Sequence, residues 1–141
     1  MNSLLKAFQV YWRENSEIAL GDKVKASAAL SNEATAHLVL YAFLQRVMNG
    51  GAVIQREYAA GKTRVDICVT YKGIRYPLEL KLKGAMSRKN SLEQLSGYMD
   101  RCGSSEGWLI VFDRYFKKDW KTKIFWKDHN SGGKAMHVVG C

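Results

Sequence analysis

The chain has little proline, only Pro77, and few cysteines, and no apolar stretch approaches the roughly 18 residues that a membrane-crossing helix needs. The three cysteines, Cys68, Cys102 and Cys141, are odd in number and show no C-x-x-C spacing. That argues against a disulfide framework and against a zinc site, and it fits a reducing compartment. The N-terminus has no signal-peptide apolar region, so the expectation is a cytoplasmic protein with no membrane partner. His129 and His137 are not at ligand spacing, and there is no internal repeat, low-complexity tract or evident linker. Acidic residues are also in short supply: 13 Asp and Glu stand against 22 Lys and Arg, a formal net charge of +9. Such an excess points to an acidic partner, most commonly nucleic acid, although a basic surface can also serve solubility alone.

What is present suits one domain with a sizeable core: 141 residues, of which 47% are hydrophobic and 11% aromatic. Leu4, Leu5, Phe8, Tyr11 and Trp12 fall at helical spacing and predict a short amphipathic helix over residues 3–14, whereas Asn15 to Lys25 reads less clearly and contains a turn at Gly21-Asp22. Ser31 or Asn32 is a cap for a second helix to about Met48, closed by Asn49-Gly50-Gly51. Its apolar positions, including Ala34, Leu38, Leu40, Phe43, Leu44 and Val47, nearly encircle it and predict packing on a sheet. In its first turn Glu33 complements the helix dipole or faces a site. His37, four residues on, reads as a structural histidine in preference to a ligand.

Residues 52–58 predict a strand that turns at 59–62 into an alternating hairpin, Arg64 to Lys83. On its first arm Val65, Ile67, Val69 and Tyr71 share one parity. On its second, Ile74, Tyr76, Leu78, Leu80 and Leu82 do the same, with Lys72-Gly73 as the loop. Pairing Tyr71 with Ile74 sets Ile67 against Leu78, Val65 against Leu80 and Asp66 against Glu79. Carboxylates so opposed lie about 4.5–5.5 Å apart at their Cβ atoms and repel unless a cation lies between them. Lys81, on the same face as Glu79, adds an ammonium group, giving the outline of a metal-dependent phosphodiester site. Pro77 predicts a bulge or broken pairing beside Cys68.

Gly84 to Asn90 reads as a basic loop, followed by a helix from a Ser91/Gln94 capping box to Cys102 with Gly103 as its stop. Gln94, Tyr98 and Arg101 share a side apart from the buried Leu92, Leu95, Met99 and Cys102 stripe. A strand over 107–112 then makes a crossover that should be parallel. Beyond Asp113, Lys117, Lys118, Lys121, Lys123 and Lys127 interleave with Tyr115, Phe116, Trp120, Phe125 and Trp126. Lysines on phosphates with rings on bases, and aromatic packing with solvated lysines, are equally good readings. Ser131-Gly132-Gly133 turns into a closing strand over 135–139.

Asp66 followed by Glu79-Leu80-Lys81 on a hairpin, in the order helix, three-stranded meander, helix, strand, resembles the PD-(D/E)XK nuclease superfamily, with Val65 where the motif's proline would stand. Phe8 to Asn15, Arg56-Glu57-Tyr58-Ala59 and Glu106 to Asp113 resemble the nuclease-like domain at the C-terminus of bacterial AAA-like ATPases. The resemblance implies an α/β fold: a restriction-endonuclease-like αβββαβ core, a mixed central sheet flanked by helices, and a C-terminal β-hairpin extension. It divides the single domain 1–141 into a helical extension (1–30), the core (31–113) and a β extension (114–141). It also implies that the chain is a fragment whose ATPase part lies elsewhere, since no G-x-x-x-x-G-K-[ST] loop occurs here.

By the same resemblance Glu33 is the helix glutamate, and Gln94 with Tyr98 is the glutamine and tyrosine motif of the RecB-like branch. The implied activity is a metal-dependent nuclease acting on nucleic acid, first of all DNA. Asp66, Glu79, Glu33 and the Leu80 carbonyl would hold Mg²⁺, with Mn²⁺ as substitute; Lys81 would act on the water or the transition state, and Gln94 and Tyr98 would position them. A duplex substrate would favour a homodimer. The rival is a catalytically silent nucleic-acid-binding or assembly module of the same fold attached to an ATPase. Each residue also has a plain structural reading: Asp66 paired with Arg64 or Lys81, Glu79 and Lys81 as solvated charges, Gln94 as a cap.

Overall fold

The computed structural model describes residues 1–20, 29–60, 63–85, 87–113 and 119–141. The element order is α1 (Asn2–Leu20), α2 (Ala29–Val47), β1 (Val53–Ala60), β2 (Thr63–Tyr71), β3 (Ile74–Leu82), α3 (Arg88–Cys102), β4 (Glu106–Phe112), α4 (Trp120–Lys123), β5 (Phe125–Ser131) and β6 (Lys134–Gly140). The strands form one six-stranded mixed sheet in the order β1-β2-β3-β4-β6-β5, with helices on both faces. Antiparallel pairs join β1 to β2, β2 to β3 and β5 to β6, whereas β3–β4 and β4–β6 are parallel. No helix among the described residues is long and apolar enough to cross a membrane.

Strand parity divides the core. Leu78, Leu80, Trp108, Ile110 and Phe112 face α1 and α2, where Leu5, Phe8, Trp12, Ala36, Leu40 and Leu44 meet them. Leu109, Met136 and Val138 face α3 through Leu95 and Met99. Gly107 lets α3 pack close to β4: a Cβ there would lie 2.8 Å from the Met99 sulfur, so the Met99 and Leu95 side chains would have to shift. The N-terminal helix belongs to the core: Gln9, itself buried, donates from Nε2 to the carbonyls of Gly140 at 2.7 Å and Phe125 at 3.1 Å, tying α1 to the last hairpin.

Several boundaries differ from the sequence reading. α1 continues past residue 14 to Leu20, since nothing before Gly21 interrupts it; the expected Gly21-Asp22 turn lies outside the described residues. α2 begins at Ala29, so Ser31 and Asn32 lie inside it, Ala29 and Leu30 being good helix formers. It buries one stripe instead of its whole circumference, and Leu38 is exposed. α3 starts at Arg88, which moves Arg88 and Lys89 from the loop into the first turn. Its cap is Ser87, whose side chain accepts from the Asn90 N–H. Ser91 is buried and donates to the Ser87 carbonyl at 3.1 Å.

The hairpin register is the expected one over Ile67↔Leu78 through Tyr71↔Ile74. Lys72 and Gly73, at φ of 50° and 78°, give the tight two-residue loop. The bulge expected at Pro77 does not occur: Cys68 and Pro77 pair directly. Counting alternate pairs from the loop, Pro77 falls at a non-hydrogen-bonded position, so its nitrogen faces away from β2. The β3–β4 pairing starts only at Leu78, so the proline costs no ladder bond on that side either.

Candidate functional site

Beyond Ile67↔Leu78 the β2–β3 ladder ends, and the expected pairings of Asp66 with Glu79 and Val65 with Leu80 are not made. Beside this opening, the β1–β2 ladder passes over Glu57 opposite Asp66, with Glu57 at a φ of 47°. Val65 and Cys68, of opposite parity, then share one buried cluster with Tyr98 and Cys102 under α3. The strand is therefore rotated about Asp66, and the single apolar face expected for Val65, Ile67 and Val69 is not kept.

Into the opening the Asp66 carboxylate reaches across, and its Oδ2 accepts the Leu80 N–H at 2.8 Å. In an extended strand a residue's N–H and C=O point to the same side, so the Leu80 carbonyl is directed towards the same gap. Glu79 is carried on β3 towards the α3 layer and is 1% exposed, and its Oε1 accepts from the Lys81 Nζ at 2.6 Å. Its other oxygen, Oε2, is buried with no hydrogen-bond partner. Burial, then the negative charge of Asp66, push the Glu79 carboxyl up from 4.5 to about 7, against the opposing pull of Lys81 and the Asp66 backbone N–H.

Gln94 and Tyr98, one turn apart on α3, are joined by a 2.6 Å bond from the amide nitrogen to the phenol oxygen. Tyr98 is buried, which raises its pKa, and the negative charges of Glu79 and Asp66 add to that rise. The fold thus gathers Asp66, Glu79, Lys81, Gln94 and Tyr98. Glu33 lies in α2, but its side chain is outside the described residues.

The plain structural readings fare unevenly. Arg64 pairs with Glu57 at 2.9 Å instead of with Asp66, Glu79 and Lys81 are paired but not solvated, and Gln94 is not the helix cap. His37, read from the sequence as structural, comes to the site: its Nε2 is buried without a hydrogen-bond partner, 4.0 Å from Asp66 Oδ2. The only sequence signal for it was its place one turn after Glu33. In the C-terminal third, Trp120 and Trp126 pack on the main core, Phe125 packs on the α3 side, and Lys123 is buried over the Trp120 ring. All three rings pack on the core while staying partly exposed, and Tyr115, Phe116, Lys117 and Lys118 are outside the described residues.

Among the described residues no three His, Cys, Asp or Glu side chains converge into a closed metal cage. The donor set instead offers hard oxygens from two carboxylates, and Glu79, whose Oε2 is buried without a hydrogen-bond partner, has its ionisation suppressed by burial and by the neighbouring charge of Asp66. That fits Mg²⁺ or Mn²⁺, since Mg²⁺ keeps several waters and needs only one or two protein carboxylates. The thiols are poor ligands here: Cys68 is pushed up to about 11 by burial, and burial raises Cys102 and Cys141 as well. Compared with known proteins, the sequence matches no family model and no curated relative.

Proposed function

We propose that this protein is a divalent-metal-dependent nuclease with a restriction-endonuclease-like PD-(D/E)XK core, hydrolysing phosphodiester bonds of DNA. The observation that carries the proposal is the buried, unpartnered Glu79 Oε2 beside Asp66, with Lys81 bonded to the same carboxylate. A structural ion pair needs neither the second acid nor the open strand edge; a cation site uses both. The basic charge of the chain suits a polyanionic substrate. The resemblance drawn from the sequence extends the proposal to an AAA-like ATPase as partner.

Asp66 and Glu79 would hold the cation, with the Leu80 carbonyl and Glu33 as further oxygen donors. When bound, Mg²⁺ or Mn²⁺ supplies a Lewis acid for the scissile phosphate and a bound water of lowered pKa. Lys81, 18% exposed, would meet the phosphate and balance charge developing on it in the transition state. Tyr98 and Gln94, which brace each other on α3, would help position these groups.

Incubating the protein with single-stranded, duplex and branched DNA in Mg²⁺, Mn²⁺ or EDTA tests this. Cleavage should require the metal, and Lys81→Ala should lower its rate about 100- to 1,000-fold. A silent binding or assembly module is the second reading, favoured by the 2.6 Å pair that engages Lys81 with Glu79. DNA retention without cleavage in every metal would establish it in place of the nuclease.

A further inference from the structure

A cleft of about 230 Å³ opens beside Lys81, between the carboxyl ends of β3 and β4 and the first turn of α3. Asp66 and Glu79 do not line it, and Lys81, bonded to Glu79, stands between the cleft and the carboxylate pair. In open α/β sheets, ligands bind in the crevice outside the carboxyl ends of parallel strands, and β3 and β4 are parallel.

The lining is of two kinds. Lys81, Lys83 and Arg88 supply positive charge, offset in part by the Asp113 carboxylate that also lines the cleft and by Glu79 on Lys81, and Leu82, Val111 and Phe125 supply apolar surface. Lys83 is anchored by Asp113 at 2.8 Å, and the Asp113 side chain is only 4% exposed, which fixes that ammonium at the cleft. A lone phosphate has no use for the apolar part, and an apolar molecule has none for a lining that stays net basic with three cations against the Asp113 carboxylate. A nucleotide uses both, its phosphate on the cations and its base on the apolar wall. The volume lies below the roughly 300–1,000 Å³ of sites for drug-sized ligands, which suits one base and not a stack.

A base held in a duplex stack is not available to such a wall, and unstacking it costs a few kcal/mol unless the strand is already unpaired. We infer that the cleft receives one unstacked nucleotide of the strand whose phosphate lies at Lys81, so that single-stranded, frayed or branched nucleic acid is preferred to continuous duplex. This inference rests on the nuclease reading of the neighbouring site.

Two arms test it on the whole chain. In EDTA, thymidine monophosphate, thymidine and inorganic phosphate are titrated by NMR. The nucleotide should bind at least about tenfold tighter than either part, the gain expected from one base contact. Arg88→Glu, at an exposed position, should remove about tenfold, and Val111→Trp should block the cleft. Equal affinity for phosphate and nucleotide, or nucleotide affinity unchanged in both variants, overturns the inference. In Mn²⁺, an unpaired strand should be cut at least about tenfold faster than the same sequence in duplex, and Val111→Trp should lose that preference. Equal rates on both substrates overturn it while leaving the nuclease reading intact. Absence of all cleavage removes the nuclease reading, and with it the placement of a strand; mononucleotide binding in EDTA then marks a site for a free nucleotide instead.

Discussion

Replacing Glu79 by glutamine should stabilise the metal-free protein at alkaline pH and leave it unchanged in acid. The change is nearly isosteric, and the amide oxygen can still accept from Lys81, so packing around β3 is retained. In the folded chain the Glu79 carboxyl is pushed from 4.5 to about 7 by burial and by Asp66. A carboxyl raised on folding contributes stability that is complete below its unfolded value and lost as the pH climbs through the folded one. Between pH 4.5 and 7 the folded state holds a proton that the unfolded state has released, so stability falls with rising pH. At about 1.4 kcal/mol per pH unit, ionising Glu79 costs about 3 kcal/mol by pH 8. The measurement is the urea unfolding free energy of both proteins in EDTA at half-unit steps from pH 4.5 to 8.5. Carboxylates away from the site are common to both proteins, so the difference between them reports Glu79 together with its coupling to Asp66: near zero at pH 4.5, and about 3 kcal/mol in favour of glutamine at pH 8. Mn²⁺ at pH 8 should stabilise wild type and reverse the order. A difference that stays constant across the range would refute the reasoning, because it would mean that Glu79 ionises as an ordinary solvated carboxylate.

The other predictions concern neighbouring parts of the fold. Tyr98→Phe removes the phenol that accepts from Gln94 and should reduce metal-dependent cleavage, with thermal stability lowered by only about 1 kcal/mol; unchanged steady-state rates would remove Tyr98 from the site. Gly140→Ala should destabilise by about 1–3 kcal/mol or more in chemical denaturation, since its Cβ would clash with the Lys123 carbonyl and the Phe125 ring. The thiols of Cys68, Cys102 and Cys141 should resist a disulfide reagent at pH 8 until the chain is unfolded, because all three are buried and their pKa values are raised; rapid labelling of the native protein would contradict that burial.

Local signals in the sequence carried unequal weight. The hairpin register was legible from Ile67↔Leu78 to Tyr71↔Ile74 because a two-residue loop at Lys72-Gly73 leaves one way for two alternating arms to pair, but that register stops short of Asp66 and Glu79. Pro77 misled because its effect depends on which partner strand its nitrogen faces, and that follows from counting pairs from the loop and not from the residue itself. The end of the ladder at Asp66 was not legible: it depends on Glu57 across the sheet and on the Asp66 carboxylate taking the Leu80 N–H, both long-range matters. Nor could local pattern reveal that the last strand, β6, slots between β4 and β5, or that Gln9 of α1 would hold the closing hairpin. The nearness of His37 to Asp66 was not legible, because only the packing of α2 on the sheet brings the two together.

The most direct test of a cation site between Asp66 and Glu79 is anomalous diffraction at the manganese edge from crystals grown with Mn²⁺. A single strong peak within coordination distance of Asp66 and of Glu79 Oε2, lost in Glu79→Gln, is the predicted result. A map with the Asp66 and Glu79 carboxylates ordered as described here, Lys81 still on Glu79, and no peak between them at saturating Mn²⁺ would contradict it.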